Sequence, residues 1–96
     1  MKIVIRHNSD YLSPYWDSET DREASVSAYN EGLTAYLSQL YGAEVEVIDI
    51  PDLQRDEIDL EPCPDDPRDL LAQIQRDCEE YWARGEFWVL KGEATV

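Results

Sequence analysis

Hydrophobic and polar positions change period along this chain, and each change marks an element. Residues 2–7, KIVIRH, set Ile3 and Ile5 against Lys2 and Arg6 in a short β-branched run, the pattern of a strand. The aromatic-rich stretch after it, NSDYLSPYWDSE, carries Asn, Ser, Asp and Pro as turn formers and reads as a loop. The period then lengthens. Val26, Tyr29, Leu33, Tyr36, Leu37 and Leu40 recur at steps of three and four, which places one apolar stripe on a helix. Thr20-Asp21-Arg22-Glu23 has the form of a capping box, with Ser18 as an alternative cap. Gly42 stands where a left-handed residue ends such a helix. Gly32 lies inside it at a cost of ~1 kcal/mol against Ala, and its missing side chain leaves room for close packing.

Residues 44–50, EVEVIDI, return to alternation, but Ile48 and Ile50 fall on the opposite parity from Val45 and Val47. Either a bulge re-phases this strand or both its faces are partly covered. Pro51, Pro62, Pro64 and Pro67 preclude a long helix in the connection that follows, leaving room for about one turn at LQRDEID. Asp66-Pro67 then opens a second helix, with Asp at the N-cap and Pro at the first helical position. Its stripe is Leu70, Leu71, Ile74, Cys78, Tyr81 and Trp82, and Gly85 ends it. Phe87–Leu90, FWVL, reads as a third strand, followed by a frayed tail.

These elements predict a single α/β domain over residues 1–96, with an α+β arrangement as the alternative. The order is β-α-β-α-β, with two helices on one face of a three-stranded sheet. The strand-helix-strand unit at the start favours parallel pairing of the first two strands. The direction of the third is open.

Charge changes the picture more than composition does. The chain has 96 residues, enough for one modest core, and a formal net charge of −14. Residues 43–66 hold ten of the Asp and Glu residues against Arg55 alone, so −9 of the −14 lies in a quarter of the chain. Such a balance disfavours direct binding to nucleic acid or to an anionic membrane, both of which need Lys and Arg. A basic partner is the natural converse. No apolar run is long enough to cross a bilayer and the N-terminus lacks the pattern of a signal peptide, so a cytoplasmic protein is expected. On that expectation Cys63 and Cys78 remain free thiols.

The search for reactive groups yields little. His7, the single histidine, ends the first strand near Asp10 and Asp17 in sequence, a position from which a general base could act. No Ser or Cys lies in a recognisable nucleophile motif, and the four glycines are too dispersed for a phosphate-binding loop. The carboxylates of the connection are hard oxygen ligands, but their spacing does not match a calcium loop, and a lone histidine without a Cys pair leaves zinc without ligands. No cofactor or metal is expected. Tyr11, Tyr15, Trp16, Trp82 and Trp88 read as core material rather than as a binding surface.

The carboxylates are therefore the best candidate site. Asp52, Asp56, Glu57, Asp59, Glu61, Asp65 and Asp66 are expected to contact a partner, supported by Glu44 and Glu46 on the adjoining strand. Prolines restrict the segment, and Leu53, Ile58 and Leu60 can pin it down. The expected function is that of a small, acidic, non-enzymatic inhibitor occupying a nucleic-acid-binding surface of a partner protein. It would act as a nucleic-acid mimic, a role for which small phage anti-defence proteins such as anti-CRISPR proteins offer an analogy of size and charge alone. An interaction module with an aromatic surface is one alternative, and a small enzyme built on His7 is another.

Overall fold

A computed structural model describes residues 1–11, 20–87 and 89. The chain forms strand β1 (Lys2–His7), a single 3-10 turn at Ser9–Tyr11, helix α1 (Arg22–Tyr41), strand β2 (Glu44–Asp49), strand β3 (Glu57–Glu61) and helix α2 (Arg68–Arg84). It is a small α+β domain with two helices and a three-stranded mixed sheet in the order β2-β1-β3. β1 pairs parallel with β2 and antiparallel with β3.

The third strand is not where the pattern put it. Phe87 and Val89 lie outside the sheet, Trp88 and Leu90 fall outside the described residues, and the strand is Glu57–Glu61 within the acidic connection. The element order is thus β-α-β-β-α. EIDLE alternates with period two, but Ile58 and Leu60 are its only apolar positions. Its pairing comes from β1, whose Ile3 and Ile5 lie opposite Leu60 and Ile58 in register. Burying that cross-strand pair contributes what β propensity alone does not.

The parity question in β2 resolves without a bulge, because the ladder runs unbroken from Lys2↔Glu44 to His7↔Asp49. Val45 and Val47 share the face of Ile3 and Ile5, while Ile48 lies half-buried on the opposite face. Ile50 is already beyond the strand, its amide donating to His7 O at 2.7 Å.

Both helices end as the glycines imply. Gly42 (φ 59°) and Gly85 (φ 66°) take the left-handed conformation, and their amides reach back to Ser38 O and Trp82 O. The starts are each displaced by one residue. Asp21, not Thr20 or Ser18, caps α1, its extended backbone letting the carboxylate accept from Ala24 N at 3.0 Å. At α2 the cap position is Pro67, and the Asp66 carboxylate turns to the Arg68 guanidinium, accepting from Nε at 3.0 Å. That pairing holds the Asp66 carboxyl below the usual range.

The core lies between the helices and one sheet face. Ile3, Leu33, Leu37, Ile74 and Phe87 are almost fully buried there, with Tyr29 and Tyr81 beside them. α1 packs against β2, and α2 packs against α1. Phe87 enters from beyond α2, and Val89 O then accepts the amide of Asp21 at 2.8 Å, tying this segment to the start of α1. Buried Ser25 completes the junction by accepting from Val89 N at 2.9 Å.

Candidate functional site

The sheet has two faces of opposite character, and the strand registers decide which residues share each one. Side chains alternate across a strand, so Ile3, Ile5 and His7 turn to the helices and Lys2, Val4 and Arg6 turn away. On that second face Lys2 lies between Glu44 and Glu61, Val4 between Glu46 and Asp59, and Arg6 between Ile48 and Glu57. Five of the nine expected contact residues thus come together: Glu44 and Glu46 in one row, Glu57, Asp59 and Glu61 in another. Neither helix covers them.

Two cations stand between the rows. Lys2 Nζ pairs with Glu46 at 3.2 Å, and Arg6 pairs with Asp59. The neighbouring carboxylates, Glu46 first, hold the Lys2 ammonium above its ordinary range, and Asp59 does the same for Arg6. The long side chains flank Val4, which is 4% exposed although neither helix lies on that face. Among the described residues Glu44, Glu57 and Glu61 have no direct ion pair. With five carboxylates against two cations, the face keeps a net charge of −3.

The other four expected residues are placed elsewhere. Asp52 is exposed in the turn after β2 with φ 66°, a left-handed conformation that Asp tolerates better than most residues. Asp65 and Asp66 are exposed before α2. Asp56 immediately precedes β3 and shares the parity of Ile58, so it lies on the helix side of the sheet.

On that side is a second feature. α1 sits over β2, and α2 leans on α1 and stands off β3, which leaves a cleft of about 620 Å³ beside the β1–β3 half of the sheet. Ile5, Ile58 and Leu71 give it apolar walls, His7 and Asp56 lie at the strand ends, and Trp82 stands on α2. Trp82 is 46% exposed, so this aromatic is not the core residue that its place in the helical stripe suggests. Tyr15, Trp16 and Trp88 lie outside the described residues, as does Asp17.

His7 is 3% exposed, packed edge-on against the Tyr29 ring at 5.2 Å. Its Nε2 lies 2.7 Å from Asn30 Oδ1, while Nδ1 is buried and has no hydrogen-bond partner among the described residues. Asp10, its neighbour in sequence, pairs instead with Arg22. Asn30 and Tyr29 on α1 are the partners that sequence reading missed; the pair sits one helical turn before Leu33 on the stripe, but nothing in the sequence joins it to His7.

Cys78 also lines the cleft. Burial first, then the Asp56, Asp77 and Glu79 carboxylates, push its thiol up to about 12, so it is a protonated apolar side chain rather than a nucleophile. Both cysteines are free, and no three His, Cys, Asp or Glu side chains gather as a metal site among the described residues. No helix among those residues is long and apolar enough to cross a membrane.

Partial desolvation against the cleft wall holds the Asp56 carboxyl above its ordinary range, and His7 opposes that rise. The ionised form is therefore disfavoured in the folded state. The resulting penalty is present above the folded pKa and vanishes as pH falls below the unfolded value of about 3.9. Asp56→Asn is expected to be at least as stable as the parent at neutral pH, with any gain disappearing in acid. Urea midpoints at the two pH values check this, and a destabilised Asn variant at neutral pH contradicts it.

Comparison with protein-family models, with curated proteins and with solved structures finds no match to this chain.

Proposed function

We propose that the protein is a non-enzymatic binding module whose carboxylate-bearing sheet face, on the side away from the helices, meets a Lys- and Arg-lined surface of a nucleic-acid-binding partner. The observation that carries this is the register. It sets two rows of carboxylates on one face, with Glu44, Glu57 and Glu61 left outside the ion pairs. Strand spacing puts the rows about 10 Å apart and repeats the charges at about 7 Å along each row. A B-DNA groove is about 6 to 12 Å wide, so a surface shaped for two phosphate walls meets negative charge on a comparable scale. Lys2 and Arg6 hold the inner carboxylates in place and remove part of their charge, so the outer three carry the recognition. Affinity of this kind arises from steered encounter and falls steeply with salt.

The test sets two triple variants against the parent. One reverses the face (Glu44→Lys, Glu57→Lys, Glu61→Lys) and the other reverses the loops (Asp52→Lys, Asp65→Lys, Asp66→Lys). A partner retained by the immobilised parent is then measured against each, with duplex DNA as competitor. The face variant is expected to lose on the order of a hundredfold in affinity, from replaced attraction and new repulsion. The loop variant should lose far less, and DNA should displace the partner. Equal losses in the two variants, or a partner indifferent to salt and DNA, would end this reading.

A further inference from the structure

The cleft on the opposite side of the sheet is independent of the carboxylate face and has the composition of a small-molecule site. Its volume of about 620 Å³ lies within the ~300–1,000 Å³ usual for ligand pockets. Walls of Ile5, Ile58 and Leu71 supply apolar contact, and the partly exposed Trp82 adds an aromatic side chain to the lining.

The polar groups define what would fit. Asn30 Oδ1 can only accept, so the hydrogen on Nε2 of His7 is the one it takes. In the neutral ring Nδ1 is then a bare lone pair, buried and without a partner among the described residues. Leaving such an acceptor unpaired carries its full desolvation cost, which a ligand with an N–H donor recovers. Among the described lining residues Asp56 and Glu79 add two carboxylates against the guanidinium of Arg55, so the cleft favours positive charge.

We infer that this cleft binds a small organic cation, an amine with an apolar body. Its ammonium is shared between His7 Nδ1 and the Asp56 carboxylate, and its hydrocarbon lies between Ile58, Leu71 and Trp82. The isolated buried acceptor, the apolar walls and the carboxylate at the strand end all meet in that one ligand class. A carboxylate ligand would leave Nδ1 unpaired and face Asp56 and Glu79.

His7 is the only histidine, so its imidazole nitrogens give unambiguous resonances in ¹⁵N-labelled protein. Phenethylamine is the probe, with 2-phenylethanol as its uncharged counterpart and phenylacetate as an anion. The amine is expected to shift the Nδ1 resonance saturably, with the alcohol at least about tenfold weaker, the equivalent of one charge-assisted hydrogen bond. Asp56→Asn, at an exposed position, should weaken amine binding by a similar factor. Leu71→Trp should fill the cleft and abolish it. The triple reversal of the carboxylate face should leave the amine affinity unchanged, which separates this site from general attraction to an acidic protein. No saturable shift with the amine, equal affinity for amine and alcohol, preference for phenylacetate, or loss in the face variant would each overturn the assignment.

Discussion

Phe87→Ala is expected to cost about 3–5 kcal/mol, the usual range for deleting a buried aromatic side chain. Phe87 is 1% exposed, although it lies in no helix or strand, and it is held by the rings around it. Its ring meets Tyr29 edge-on at 4.9 Å and lies nearly parallel to Tyr81 at 6.4 Å. Truncation would open a cavity where α1, α2 and the segment beyond α2 converge, and neighbouring rings this large collapse poorly into such a space. A domain of this size has about 5–15 kcal/mol of stability in total, so the variant should lose roughly a fifth of it or more. The urea midpoint should fall with little change in slope, and Phe87→Leu should recover most of the loss. A loss below about 1 kcal/mol would mean that this segment closes the core only loosely.

Gly32→Ala is expected to destabilise by about 1–3 kcal/mol, against the ~1 kcal/mol gain that helix propensity offers. A Cβ at position 32 would collide with Tyr81 Oη and lie 2.9 Å from its Cζ. The hydroxyl is the far end of a side chain, but the ring cannot easily swing away. It stacks on Tyr36 at 5.5 Å, lies 5.8 Å from Tyr29 and is 8% exposed. The glycine is thus the seat for a tyrosine of the facing helix. Adding Tyr81→Phe should recover part of the loss by removing the oxygen, and a double-mutant cycle measures how strongly the two positions couple. If Gly32→Ala instead stabilises by the propensity difference, the Tyr81 ring is free to move and the interhelical contact is loose.

Much of the scaffold was legible in the residues. The strands at the start and after α1, both helical stripes and both glycine stops follow from period and local conformation, which act over a few neighbours. Cap positions moved by one residue because several polar candidates stand side by side at each start, and which side chain reaches an amide depends on how the chain enters the turn. EIDLE reads as connection because its two apolar side chains say little alone, and FWVL reads as a strand because aromatic and β-branched residues favour strands, although Phe87 serves the core from outside the sheet. The candidate site divided in the same way. Its carboxylates were visible in the sequence, but their separation into a face, two loops and a cleft was not.

By itself, then, the sequence determined the local elements and the excess of negative charge. Both are properties of short stretches, set by side-chain period, backbone preference and composition. Only the tertiary structure decided that β3 pairs with β1, that Lys2 and Arg6 stand between two rows of carboxylates, that Phe87 closes the core, and that Tyr81 packs against Gly32. It also decided that His7, at the edge of a cleft, meets Asn30, 23 positions away, with one nitrogen left unpaired among the described residues. Each of these depends on register and on contacts distant in sequence. A one-residue slip in β3 would exchange its faces, moving Glu57, Asp59 and Glu61 into the core. The burial of Ile58 and Leu60 against β1, not the acids themselves, is what turns that charge outward.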